Sequence, residues 1–320
     1  MSRAVVAAIE RLRAREALTA EQAAFFARVA RGELVSVRLE LQIALWLGVT
    51  LIAGGAGLLV RENLARLGPV TIGAGIGLAA ALCLWHVART APRFSWGPVA
   101  SPTLAFDYVL LLGVLLVGTD LGWLETQLTI LGPRWPWHLL LLSLLQFAFA
   151  FRYDSRAVLS LALASFAAWR GVSLALAGGA RFHGQGDLLR LNALAVGGLF
   201  VGAGVLLRRS GRKAHFEPTF LNLGLLLLLG AAVAGAYGGD GSDALWGSVL
   251  AAASAATIAL AYRARRSDCF AQGVIAAYLG LLRLVTELHL EEGLYFLVSV
   301  SSFGVLFLIL KARRRFKEES

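Results

Sequence analysis

Ten stretches of predominantly apolar sequence, each close to the length needed to cross a lipid bilayer, recur along this chain with charged or Pro/Gly-bearing segments between them. They cover residues 41–60, 68–88, 103–119, 137–151, 157–178, 191–207, 218–237, 244–262, 269–287 and 293–310. A hydrocarbon core about 30 Å thick takes roughly 20 helical residues at about 1.5 Å each, so nearly every run is long enough. In lipid, a helix satisfies all its backbone N–H and C=O groups internally. The runs therefore predict an all-α fold, a polytopic transmembrane helical bundle of about ten spans. Composition agrees: 58% of the 320 residues are hydrophobic, 16% are charged, and the mean hydropathy is +0.70. A soluble domain carries about 25% charged residues. The 35 glycines also fit, because small residues let membrane helices approach closely.

Orientation follows from Lys and Arg, which are retained on the cytoplasmic side during insertion. With the N-terminus inside, 23 of the 30 fall in inner segments, including Arg208, Arg209, Arg212 and Lys213 in one loop and Arg263, Arg265 and Arg266 in another. Only Arg61, Arg66, Arg134, Arg181 and Arg190 fall outside, where Asp120, Glu125, Asp187, Asp240, Asp243, Glu291 and Glu292 stand instead. Seven of the eight tryptophans lie near a span boundary, where the amphipathic indole settles. Both termini are thus expected in the cytoplasm. The net charge of +10 marks topology rather than a nucleic-acid partner. Cys83 and Cys269 fall near inner span ends, a reducing location, and read as small core residues. The N-terminal residues lack the compact apolar region of a secretory signal.

Residues 1–40 form the expected cytoplasmic head, 41–310 the bundle, and 311–320 a basic cytoplasmic tail. Within the head, Val5, Ile9 and Leu12 share one helical face, and Thr19 with Gln22 forms a capping-box pattern opening a second helix. The pair has the outline of a helix-turn-helix, but its second helix offers phosphates only Arg28 and Arg31. Further along, residues 151–171 align without gaps over 260–280, matching Tyr153 with Tyr262, Arg156 with Arg265 and Gly171 with Gly280. Gly73/Gly77 and Gly198/Gly202 give the second and sixth spans a small-xxx-small pattern. A parallel repeat of four spans accounts for both observations, as does the shared Leu/Ala/Gly composition.

The sequence has no P-loop, no G-x-S-x-G, no H-E-x-x-H and no cysteine pair at metal spacing, so neither cofactor nor metal is implied. The histidines are scattered, His86 and His215 on the inner side, His138, His183 and His289 on the outer. Attention falls on ionisable residues within the spans, since each costs roughly 2.5 to 3.5 kcal/mol by insertion scales unless paired or watered. These are Asp107, Arg170 and Arg283, with Glu287 one turn beyond Arg283. Both arginines sit about 21 Å above the inner ends of their spans, at a depth where together they would make a basic floor for an anionic headgroup. At that depth an Arg stem also reaches the outer interface by snorkelling, and Glu287 would then pair with Arg283 along one helix. Asp107, near Arg89, Arg93, Arg152 and Arg156, reads as an ion-pair tether, and Tyr153-Asp154-Ser155-Arg156 as a tight charged turn.

With its helical head carrying Leu-Thr-Ala-Glu-Gln from Leu18, its polytopic bundle and the segment RYDSRAVLSLALASFAAWRGV from Arg152, the chain resembles a bacterial family of membrane proteins catalogued as domain of unknown function 2157. The likeness covers residues 1–180 best. It implies a short cytoplasmic head followed by a helical bundle in the bacterial inner membrane, and carries over no catalytic residue. Arg170 directly after Trp169 departs from the apolar residue expected there.

Three functions fit these observations to different degrees. A carrier or binding bundle for a small anionic or lipid-derived solute predicts a polar cavity reached by Arg170 and Arg283. A non-catalytic scaffold or regulatory component predicts a closed apolar interior. An intramembrane enzyme needs a nucleophile, a base and oxyanion donors, and no such set is evident. The partner common to all three is the lipid bilayer.

Overall fold

In the computed structural model the described residues are 12–14, 19–31, 47, 51, 55, 68–177, 186–239, 243–287 and 294–318. The chain divides into two compact units, Met1–Gly68 and Pro69–Ser320. The predicted first head helix and first span lie, apart from isolated positions, outside the described residues.

In the first unit, helix α1 (Ala20–Arg31) opens as its sequence dictates. Gln22 N–H donates to Thr19 Oγ1 at 3.2 Å and Thr19 N–H to Gln22 Oε1 at 3.1 Å, a reciprocal capping box that satisfies orphan donors of the first turn.

The second unit is all-helical among its described residues, and a helix stands over each of the nine later apolar runs: α2 (Pro69–Thr90), α3 (Leu104–Leu128), α4 (Trp137–Tyr153), α5 (Arg156–Ala177), α6 (Gly186–Ser210), α7 (Glu217–Ala236), α8 (Asp243–Arg263), α9 (Ser267–Glu287) and α10 (Leu294–Glu318). Seven of them, α2, α3 and α5 to α9, are long and apolar enough to cross a membrane. Helix α4, with 17 residues, is shorter. Large apolar side chains such as Leu78, Leu115, Leu206, Leu226, Leu260 and Phe307 face outward while Leu110, Leu159, Leu163 and Leu250 are buried. Helices apolar on both faces belong to a bundle whose surroundings are themselves apolar, so the unit has the make-up of an integral membrane protein.

Punctuation explains the helix limits. Pro69 starts α2 at a position where its missing N–H is no loss. Thr103 caps α3, its Oγ1 accepting from Phe106 N–H at 3.2 Å. Helix α3 runs to Leu128, nine residues past the expected end at 119, because acidic Asp120 and Glu125 do not break a helix as Gly132-Pro133 do. At Asp154 (φ 61°) and Arg265 (φ 54°) the chain turns left-handed, and in each turn the next N–H reaches back five residues, Ser155 to Ala150 O at 3.2 Å and Arg266 to Ala261 O at 2.9 Å. These matching turns lie 111 residues apart, two more than the offset at which the tyrosines and arginines align.

Sequential helices pack as antiparallel pairs, α2 with α3, α4 with α5, α6 with α7 and α8 with α9. Backbone meets backbone between α6 and α7, where a Cβ on Gly197 would lie 2.8 Å from Gly224 O and one on Gly224 2.8 Å from Gly197 O. Gly73 and Gly77 face α3 in the expected way, but around Gly198 and Gly202 there is open space: the α6 contact uses Gly197 and Gly204 instead. A core of Val87, Phe106, Leu110, Val158, Leu163, Phe200 and Phe220 joins α2 to α7. A second cluster, Ala261, Cys269, Phe270 and Phe316, ties the helical C-terminal tail to α8 and α9.

Candidate functional site

The ion-paired residues described in the second unit gather at the two ends of the bundle, and the two ends use them differently. At the end formed by the 91–103 segment and the α4–α5 and α6–α7 turns, Asp154 is the hub. Its Oδ2 accepts Val99 N–H at 2.5 Å, and its Oδ1 accepts Lys213 Nζ at 3.0 Å and lies 2.5 Å from His215 Nε2. The Lys213 side chain is 0% exposed and that of Asp154 5%, so the pair is shut from solvent. Lys213 N–H donates to Trp96 O at 2.7 Å, and its ammonium lies 5.3 Å from the Phe94 ring centroid. Both members of the pair occupy left-handed backbone (φ 61° and 48°), where a side chain costs roughly 1 to 2 kcal/mol, so tertiary contacts hold them there. Burial by itself would raise the Asp154 carboxyl, but the Val99 N–H, Lys213 and His215 outweigh it and hold the group below the usual carboxylate range. Beside this clasp, buried Glu217 meets Arg266 at 2.8 Å and Arg208 at 3.3 Å, joining α6, α7 and the α8–α9 turn.

The opposite end contains grooves. One of about 560 Å³ lies between α3 and α4, another of about 400 Å³ between α6 and α7, and a third of about 590 Å³ between α8 and α9. All three are walled largely by Leu and Gly, with Ala in the second and third, and each has a charged side chain on its rim. In the first, Glu125 lies 2.8 Å from His138. In the second, Arg190 pairs with Asp187 at 2.9 Å beside the Trp246 ring. In the third, Arg283 meets Asp243 at 3.2 Å.

Arg283, one of the sequence-derived candidates, therefore lines a groove, but as part of a helix clamp. Its Nε donates to Ala236 O at 2.9 Å and its Nη2 to Asp243 Oδ2, while Asp243 Oδ1 accepts Gly239 N–H at 2.9 Å, linking α7, α8 and α9. Arg170 lines none of the three grooves; it is half-buried, its guanidinium 5.6 Å from the Trp169 ring centroid. Asp107 sits in the first turn of α3, where a carboxylate complements the helix dipole, and both its oxygens accept from Ser101 Oγ at 2.8 Å. Among the described residues it enters no ion pair. Glu287 closes α9, and its side chain lies outside the described residues, as do His183 and His289. No group of three metal-ligating side chains occurs among the described residues.

Two polar centres escape the sequence reading. Asp154 and Lys213 are 59 residues apart and look like ordinary turn charges. Glu125 and His138 do carry a local signal: they flank a Gly-Pro-bearing connection 13 residues apart, one in the last turn of α3 and the other in the first turn of α4, which sets them at one height. No protein-family model, curated protein or solved structure matches the chain.

Proposed function

We propose that this chain is a multi-pass inner-membrane protein of ten spans with both termini cytoplasmic, and that it binds or carries a lipid-derived solute in the grooves between its helices. The grooves carry the proposal: all three reach the same end of the bundle, apolar along their walls and charged at that rim, which is the polarity of an amphiphile with its chain in the hydrocarbon and its head at the interface. Of the two solute classes weighed from sequence, this favours the lipid-derived one over a small anion, because Asp243 already meets the Arg283 charge. The basic clasp end then faces the cytoplasm and the grooved end the outer leaflet. The resemblance to the domain of unknown function 2157 family and the parallel four-span repeat belong to the same proposal; the matching turns at Asp154 and Arg265 support the repeat.

The test is lipid retention by the full chain purified in mild detergent, read by native mass spectrometry. Gly122 and Gly247 each line a groove and a Cβ at either meets nothing within 4 Å, so a Leu there begins in open space and occupies groove volume. G247L and G122L are expected to reduce the number of retained lipids; equal retention in both variants overturns the reading.

A non-catalytic scaffold is the second reading, favoured by one observation. The best-buried charges, Asp154, Lys213 and Glu217, join helix ends to one another. Removing bound lipid without changing stability or assembly would support it.

A further inference from the structure

The groove between α3 and α4 differs from the other two in the sign and chemistry of its polar end. Glu125 occupies the last turn of α3, where the free carbonyls of a helix C-terminus add partial negative charge to its carboxylate. Its Oε2 accepts Leu131 N–H at 3.0 Å and lies 2.8 Å from His138 Nε2, and its backbone oxygen accepts Thr129 N–H at 2.9 Å. Glu125 thereby folds the connection that presents Thr129 and Trp135 to the groove, where both line the wall. His138, with Nε2 turned to the carboxylate, keeps a buried Nδ1 that has no hydrogen-bond partner among the described residues. The remaining wall is Gly118, Leu121, Leu139 and Leu142.

A carboxylate at a helix C-terminus and an indole, both lining the polar end of an apolar channel, are complementary to one chemical class. An ammonium is drawn by the carboxylate and the Trp135 ring and supplies an N–H donor for Thr129, while an attached hydrocarbon chain lies against Leu121, Leu139 and Leu142. An anionic head would meet Glu125 with like charge. We propose that the α3–α4 groove binds an ammonium-headed amphiphile, with Glu125 as the counter-charge and Trp135 as the aromatic wall. The proposal rests on the reading of the grooves as amphiphile sites and names the head that one of them accepts.

The experiment uses the full chain equilibrated with vesicles of equal parts phosphatidylethanolamine and phosphatidylglycerol carrying the same acyl chains, the retained lipids then being counted by native mass spectrometry. Wild type is expected to enrich the amine-headed lipid about threefold or more, as a single carboxylate or cation–π contact would produce. Glu125→Gln keeps an oxygen for the Leu131 N–H but loses the charge, and is expected to abolish the enrichment with little change in thermal unfolding; Trp135→Leu should lower it. Dodecylammonium should displace retained lipid from wild type and not from E125Q, while dodecanoate should not. Strong displacement by dodecylammonium without enrichment of the amine lipid identifies a free alkylamine as the occupant, and enrichment identifies a lipid head; either supports the site. Lipid retained with no headgroup preference and equal displacement by dodecylammonium and dodecanoate overturns the ammonium site and leaves the groove reading standing. No retained lipid at all overturns both. An E125Q variant that behaves as wild type reduces Glu125 to a loop-folding residue and also overturns the proposal.

Discussion

The two ends of the Pro69–Ser320 unit hold charged residues of similar kind and set them to different work. At the clasp end, Asp154, Lys213 and Glu217 are almost fully buried and each reaches at least one neighbouring turn. At the grooved end, Arg283 and Asp243 keep 27% and 21% of their side chains exposed, and the pairs border open grooves. A buried ion pair is costly to break because the survivor is left charged without solvent, whereas a half-exposed one loses little when water takes the partner's place. The clasp is therefore built to stay shut, whereas the Arg283–Asp243 rim can admit a ligand at small cost; Glu125, at the same end, is nearly as buried as Glu217.

The largest expected effect follows directly. Asp154→Asn leaves Lys213 buried without a counter-charge and should lower stability in detergent by about 3 to 5 kcal/mol. The double variant D154N/K213M should regain much of that loss, since replacing both charges by uncharged groups is far less costly than orphaning one. If the single variant unfolds at the wild-type temperature, the two ends do not differ as described.

Acid should act on the same clasp. Because the folded Asp154 carboxyl titrates below its unfolded value of about 3.9, its contribution is fully present above that value and is lost as pH falls through the lower folded one. Thermal unfolding measured from pH 7 downward should show a loss beginning near pH 4 that D154N lacks. An identical acid profile in the variant assigns the loss to other carboxylates.

At the grooved end, Asp243→Asn should cost only about 1 kcal/mol, given the partial exposure of the pair. Its stronger consequence should be on lipid retention, through the loss of the Arg283–Asp243 pair at the groove rim. A cost as large as that of D154N would show that this end is also a locked joint. The smallest effect is expected at Arg170, where Arg170→Gln should shift stability by no more than about 0.5 kcal/mol and leave lipid retention unchanged, since the side chain lines none of the three grooves. A marked loss of retention in R170Q would restore it to the binding site.

Much of the fold could be read along the chain because its causes are local. Apolar runs followed by Gly, Pro and basic turns place a helix over each of nine expected stretches, and Thr19 and Gln22 make the box that their spacing announces. The greater length of α3 has a local cause too: Asp120 and Glu125 end the apolar run without ending the helix, which accommodates them in its last turns. The candidate site was less legible. Arg170 and Arg283 sit at similar depth along their helices, but height says nothing about azimuth or neighbour, and the structure brings Asp243 to Arg283 from another helix.

By itself the amino-acid order determined that this chain is helical, apolar on all sides and basic at alternate turns, because hydrophobic run length, capping and charge placement act within a few residues. Only the tertiary structure decided that Lys213 is enclosed against Asp154, that Gly197 rather than Gly198 meets the next helix, and that Glu125 faces His138 over a groove. These depend on the rotation of each helix about its axis, where one residue means about 100°. That rotation is set by how side chains of several helices interlock, so it is not written in any one of them.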